Sequence, residues 1–402
     1  MTLTRPLAAL AMMALLALSH GAQAQQRNCP SGPLAQGSEG FVAPTPGTDC
    51  VIVTGTYAGS ESRLGLPVTR RFMRITPQTP GDGVQPLFVL LHARDTNIEP
   101  MANLTRIGRL VRDHGITVIL PEAIDGEFND DPITPPTEAP DSPLMDDVAF
   151  IATVIADAIA DNGIDPAQVF IAGYSNGGFM SQRMVCERPE LFAGLGSVAS
   201  SLRFGLEENC PATPKPMTKV FIHGTDDEVV RYGGVPYRDD LVIDGETTNN
   251  ARIAFRSAPG TASFWAARNG CSDALDVPPI PNQLPTNGDG TTVDYIRYNC
   301  ASGVPPLIAY RVNGGGHTWP GSLGFAGGTS VSLGRITTQL DATTAFWAHF
   351  SNPRSGSQVM PDQLRPEGAG GGGGALGWGL LGLSLIALLG RRWRSLRRQV
   401  QA

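Results

Sequence analysis

No two of the six cysteines in this 402-residue chain stand two to four positions apart, which removes the spacing of a structural zinc site. Internal repeats are missing too, so stacked-repeat architectures are set aside. Acidic residues are absent from both ends: residues 1–24 and 375–402 hold six arginines and no Asp or Glu. The remainder therefore carries 24 basic against 37 acidic side chains, a net charge of −13. That balance argues against nucleic acid or an anionic membrane surface as a partner.

What is there begins with two terminal signals. Residues 1–26, "MTLTRPLAALAMMALLALSHGAQAQQ", combine Arg5, an apolar run and Ala22-Gln23-Ala24. This reads as a secretory signal cut by signal peptidase, with the mature chain expected from Gln25. Five glycines, 370–374, precede "ALGWGLLGLSLIALLG" and then five arginines between 391 and 398. The apolar run has 16 residues, slightly short of the ~20 of a spanning helix. Arginines beyond it should stay cytoplasmic, leaving the body outside. The tail resembles a bacterial GlyGly C-terminal sorting signal, which implies removal by a rhomboid-type protease; a retained transmembrane anchor is the alternative. The expected organisation is a signal peptide (1–24), a catalytic domain (25–352), a linker (353–374) and a sorting segment (375–402).

In an oxidising compartment an even cysteine count suggests three disulfides, and 15 pairings are open. Sequential pairs are expected: Cys29–Cys50, Cys186–Cys210 and Cys271–Cys300.

Short runs rich in branched residues, "PLFVLLH" (86–92), "ITVILPE" (116–122), "VFIAG" (169–173), "KVFIHG" (219–224) and "LIAYRV" (307–312), read as strands buried on both faces. Helical segments separate them, at 103–115 and 146–163, each ending on glycine. Alternation of this kind predicts an α/β fold with a mostly parallel central sheet and helices on both faces. Residues 51–57 and 68–76 are expected as antiparallel edge strands. A proline-rich stretch, 123–144, is expected as a long loop, either contacting substrate or disordered.

Gly173, Ser175 and Gly177 form G-x-S-x-G, weak evidence alone. Here a strand precedes it and a helix is expected from about Asn176, the setting of a nucleophile elbow in the α/β-hydrolase fold. A serine needs a base, and the base an orienting acid, in the chain order Ser, Asp or Glu, His. Of six histidines, His20 leaves with the signal, and His92 and His114 precede Ser175. His223 immediately precedes the acid candidates and His349 lies in the last helix, which leaves His317 in "NGGGHTWPG". Asp226, Asp227 and Glu228 follow a strand end, and spacing does not choose among them. Oxyanion donors are expected from the backbone N–H of Asn176 and of Arg94, or its neighbour Ala93. Tyr174 and Trp319 are candidate pocket residues.

The pieces "LHARDTN", "DDVAFI", "GYSNGGFMSQRMVCERPELFAG", "FIHGTDDEVVRYGG", "FWAARNGC" and "GGGHTWPG" lie between residues 71 and 349. Together they resemble the secreted esterases grouped with polyhydroxybutyrate depolymerases and feruloyl or acetylxylan esterases. The resemblance implies Asp227 as the acid and supports the Cys186–Cys210 and Cys271–Cys300 pairs. The family commonly has Gly where this chain has Ala93, and Pro where it has Arg231. The expectation is an exported serine carboxylic-ester hydrolase that needs no cofactor or metal. Its substrates would be hydroxyalkanoate oligomers or acylated polysaccharide fragments. Rival readings are a serine peptidase on the same fold and an inactive hydrolase fold used for surface binding.

Overall fold

The computed structural model describes residues 27–28, 50–59, 68–77, 83–131, 145–210, 215–238, 240–243, 246–248, 253–275, 289–322 and 333–352. Both terminal signals and Cys29 lie outside the described residues, which leaves the expected Cys29–Cys50 pair untested. The strands are β1 (Arg27–Asn28), β2 (Cys50–Gly59), β3 (Val68–Pro77), β4 (Gln85–Leu91), β5 (Thr117–Pro121), β6 (Ile164–Tyr174) and β7 (Gly194–Val198). They continue with β8 (Thr218–Gly224), β9 (Leu241–Ile243), β10 (Glu246–Thr248), β11 (Cys271–Leu275), β12 (Thr292–Cys300) and β13 (Leu307–Asn313). The helices are α1 (Ile98–Thr105), α2 (Gly108–His114), α3 (Asp147–Asn162), α4 (Asn176–Glu187), α5 (Phe204–Asn209), α6 (Ala258–Asn269) and α7 (Ala342–Ser351).

Eleven strands form one sheet in the order β1-β2-β3-β5-β4-β6-β7-β8-β13-β12-β11. From β5 across to β13 all neighbours are parallel. Antiparallel strands flank that centre: β2 and β3 on one side, β12 and β11 on the other. The five runs expected as strands map onto β4, β5, β6, β8 and β13, and the two expected edge strands onto β2 and β3. Alternation along β4 sends Leu87, Val89 and Leu91 to one face and Phe88 and Leu90 to the other. One face packs on α1, α2 and α7 through Met101, Leu110, Phe346 and Phe350. The other packs on α3, α4 and α6 through Ile151, Ile155, Met184 and Trp265.

Two local departures have physical causes. The helix expected over 103–115 is broken at Arg106, which is left-handed (φ 49°) and donates its N–H to the carbonyls of Ala102 and Asn103, closing α1. Its guanidinium reaches Asp341 (3.1 Å) and the Gly321 carbonyl (3.2 Å), so tertiary contacts hold the break. β7, "GLGSV", was invisible to a search for branched residues because its glycines make room for aromatic rings. A Cβ on Gly196 would stand 2.8 Å from the Phe346 ring, and one on Gly194 2.8 Å from the Phe350 ring.

Two expected disulfides are present, Cys186–Cys210 and Cys271–Cys300. The second joins directly paired residues of β11 and β12. Among the described residues no helix is long and apolar enough to cross a membrane. β6 runs into Ser175 and then directly into α4, so the parallel sheet, flanking helices and sharp strand-to-helix turn make an α/β-hydrolase fold.

Phe346 is fully buried, against Trp319 and Phe350. Phe346→Ala is expected to lower unfolding free energy by about 3–5 kcal/mol, read by urea denaturation.

Candidate functional site

Ser175 sits between β6 and α4 with φ 53° and ψ −120°, a conformation that a side-chain-bearing residue adopts only under constraint. The constraint is close backbone packing. A Cβ on Gly173 would lie 2.1 Å from the Gly177 carbonyl oxygen, and one on Gly177 would lie 2.4 Å from the carbonyl oxygens of Leu91 and His92. Only glycine fits either position, and the second contact presses the start of α4 against the end of β4.

The acid and the histidine are brought together in a similar way. A Cβ on Gly224 would stand 2.2 Å from the Gly315 carbonyl oxygen. The loops after β8 and β13 are tied by Thr225 N–H to Val312 (2.9 Å) and Asp226 N–H to Gly315 (2.9 Å). His317 lies in the second loop, where Tyr174 donates its hydroxyl to the His317 carbonyl (2.6 Å).

The resulting side-chain geometry is continuous. His317 Nδ1 is 2.8 Å from Asp227 Oδ2, and His317 Nε2 is 2.9 Å from Ser175 Oγ. A carboxylate only accepts, so Nδ1 carries the proton and Nε2 accepts from the serine hydroxyl. All three residues are buried, at 9% exposure for Ser175, 5% for His317 and 4% for Asp227.

Among the three acid candidates the structure separates Asp227 from its neighbours. Asp226 and Glu228 are exposed, whereas Asp227 Oδ1 accepts from the amides of Val229 (2.9 Å) and Val230 (2.7 Å). Burial opposes ionisation of this carboxyl, but hydrogen bonds from His223 and His317 outweigh it and hold it at about 2.

His223, set aside by chain order, proves to be part of this cluster. Its Nε2 donates to the Val230 carbonyl (2.7 Å) and lies 3.4 Å from Asp227 Oδ2, while its buried Nδ1 has no hydrogen-bond partner among the described residues. The position was legible as a histidine three residues before Asp226; its orientation toward the acid was not.

The expected oxyanion elements also adjoin. Asn176 opens α4, where first-turn amides are free of intrahelical partners. Its side chain grips the long loop: Oδ1 accepts from Phe128 N–H (2.8 Å), and Nδ2 donates to the Phe128 carbonyl (3.0 Å) and to Asp130 Oδ2 (3.0 Å). The start of that loop is therefore ordered against α4, and Arg203 Nη2 adds a bond to Asp130 Oδ1 (3.1 Å). Residues 132–144 lie outside the described set. Arg94 is exposed and pairs with Glu127.

The pocket assignment of Tyr174 and Trp319 needs correcting. Tyr174 is 1% exposed with its hydroxyl committed to His317, and Trp319 is 2% exposed with Nε1 donating to Thr343 (3.3 Å). Their rings meet edge to face at 6.2 Å, so they back the histidine loop and do not line an open cleft. Among the described residues no group of three or more His, Cys, Asp or Glu side chains is placed to hold a metal ion.

Substituting the acid makes the electrostatics testable. A carboxyl depressed from an ordinary 3.8 to about 2 contributes stability above the higher value that is lost as pH falls through the lower. Urea midpoints of the wild type should therefore drop between pH 4 and 2 by a component that Asp227→Asn lacks.

Comparison with known proteins points to esterases. Residues 75–231 match the family model "Esterase PHB depolymerase", which runs from the end of β3 through the acid loop. The NocK protein of Nocardia uniformis subsp. tsuyamanensis, which carries an esterase name, is 26% identical over 265 residues, 64% of this chain and 73% of that protein. Feruloyl esterase B of Piromyces equi is 29% identical over 173 residues, 43% of this chain but only 29% of that longer protein. The solved acetyl xylan esterase from Aspergillus awamori is 15% identical, covering 66% of this chain and 94% of that one, with a TM-score of 0.43. That overlap is too loose to carry the fold assignment, which rests on the strand order and the elbow. Over residues 75–231 the chain is thus similar to the Esterase PHB depolymerase family, and the relatives named here are esterases.

Proposed function

We propose that the chain is an exported serine ester hydrolase in which Ser175 is the nucleophile, His317 the general base and Asp227 the orienting acid. The observation that carries this is the unbroken path from Asp227 Oδ2 through the His317 imidazole to Ser175 Oγ, at 2.8 and 2.9 Å. His317 Nε2 takes the serine proton as Oγ attacks the ester carbonyl, and Asp227 stabilises the imidazolium that forms. The tetrahedral oxyanion is met by the amides of Asn176 and Arg94 or Ala93. Nε2 returns its proton to the leaving alkoxide, leaving an acyl-serine. Water, deprotonated by the same nitrogen, then attacks the acyl carbon, and the serine recovers its proton as the acid departs.

Soluble hydroxyalkanoate oligomers and acylated polysaccharide fragments are the substrates this reading favours. Support comes from the family match and from the feruloyl esterases among the similar proteins. Export is supported by the terminal signals and by two disulfides in the body. In this account signal peptidase releases Gln25 as the first residue, and a rhomboid-type protease processes the tail.

Labelling with a fluorophosphonate tests the assignment. Wild type should be labelled once, Ser175→Ala not at all, and Asp227→Asn should lower kcat on an aryl ester by about 10³–10⁴-fold. Aryl-ester hydrolysis that survives Ser175→Ala would refute the reading, and turnover confined to peptides would replace the esterase with a peptidase.

A further inference from the structure

His92 and Thr96 have no part in the mechanism above, yet both grip one carbonyl beside it. Ala123 N–H donates to His92 Nε2 (3.0 Å), so that nitrogen is the acceptor and the ring proton sits on Nδ1. Nδ1 lies 2.8 Å from the Ala93 carbonyl oxygen and donates to it. Thr96 Oγ1 donates to the same oxygen, also at 2.8 Å. His92 is 1% exposed, and its ring lies 4.7 Å from that of Phe128. Phe128 is in turn held at both its N–H and its carbonyl by the Asn176 side chain. Burial pushes the His92 imidazole down to about 4, so at neutral pH it is the uncharged donor–acceptor this pattern needs.

A trans peptide is planar, and its C=O and N–H point in opposite directions. Fixing the Ala93 oxygen therefore fixes the direction of the Arg94 hydrogen. Among the described residues the Arg94 amide donates to no backbone carbonyl, whereas the next amide, Asp95 N–H, bonds Gly126 (3.0 Å). Asp95 takes φ 57°, which turns the chain just after this peptide. Ala93 itself is not at positive φ, so alanine is tolerated where the family commonly has glycine.

We propose that His92 and Thr96 are positioning residues that clamp the Ala93–Arg94 peptide and aim the Arg94 N–H at the oxyanion of the reacting ester. The proposal rests on the serine-hydrolase reading above. Phe128 links the two halves of the oxyanion site: Asn176 supplies one donor from its backbone, and through its side chain steadies the ring against which His92 packs. A preorganised donor acts on the transition state and not on the bound ester.

The test uses purified exported protein, an aryl ester and a trifluoromethyl ketone analogue of the tetrahedral state. Thr96→Val should cut kcat about tenfold with KM within about twofold, and weaken the analogue by the same factor. His92→Ala should cut kcat about a hundredfold, at the lower end of the 10²–10³-fold cost of deleting an oxyanion donor outright. His92→Asn, whose Nδ2 can reach the Ala93 oxygen, should recover most of that loss. Wild-type kcat in Thr96→Val, or analogue affinity that fails to follow kcat, would overturn the clamp. So would a His92→Ala defect confined to melting temperature. Fluorophosphonate labelling of Ser175 in the same samples separates the two claims. A labelled, active wild type with indifferent variants sinks only the clamp, whereas an unlabelled wild type sinks the serine-hydrolase reading.

Discussion

Backbone pressed on backbone, with no side chain between, is the constraint on which this site depends. β6 must turn into α4 within one residue, and α4 must begin against the end of β4. Glycines at 173 and 177 allow both, since a Cβ at either would fall within 2.1–2.4 Å of carbonyl oxygens. The serine between them is left at positive φ, raised from the sheet edge and facing the loops after β8 and β13. Those loops meet across Gly224 and Gly315 by the same device. The spatial relation of Ser175, Asp227 and His317 is thus set by the approach of rigid main chain.

Polar contacts then finish what packing begins. Each residue of the proposed site is held by a neighbour outside the triad: His317 by the Tyr174 hydroxyl, Asp227 by two amides and His223, Asn176 by the loop from Phe128 to Asp130. Buried polar groups are expensive unless paired, and around the site nearly every such group has a partner that also orients something. Among the described residues the His223 Nδ1 is one exception, buried without a hydrogen-bond partner.

Much of this was legible in the sequence, for identifiable reasons. Strands buried on both faces announce themselves as branched runs, which located β4, β5, β6, β8 and β13. Chain order, together with the signal around His20 and the helical setting of His349, reduced six histidines to His317. The same elimination hid His92 and His223, because it asked which histidine could be the base and not which could hold another residue. Nothing in the spacing of Asp226, Asp227 and Glu228 distinguishes them; burial does, and burial is a property of the folded loop. β7 escaped because its glycines serve rings arriving from a helix more than 140 residues later. Tyr174 and Trp319 looked like pocket aromatics because composition cannot say which way a ring faces.

The central claim is that Ser175 becomes acylated, and a trapped intermediate tests it most directly. Full-length protein turning over a slowly released aryl ester would be acid-quenched within the first turnover and digested, and its peptides weighed. The account predicts one acyl group on the peptide containing Ser175, disappearing as hydrolysis completes. Turnover with no adduct, or an adduct on a different nucleophile, would contradict it.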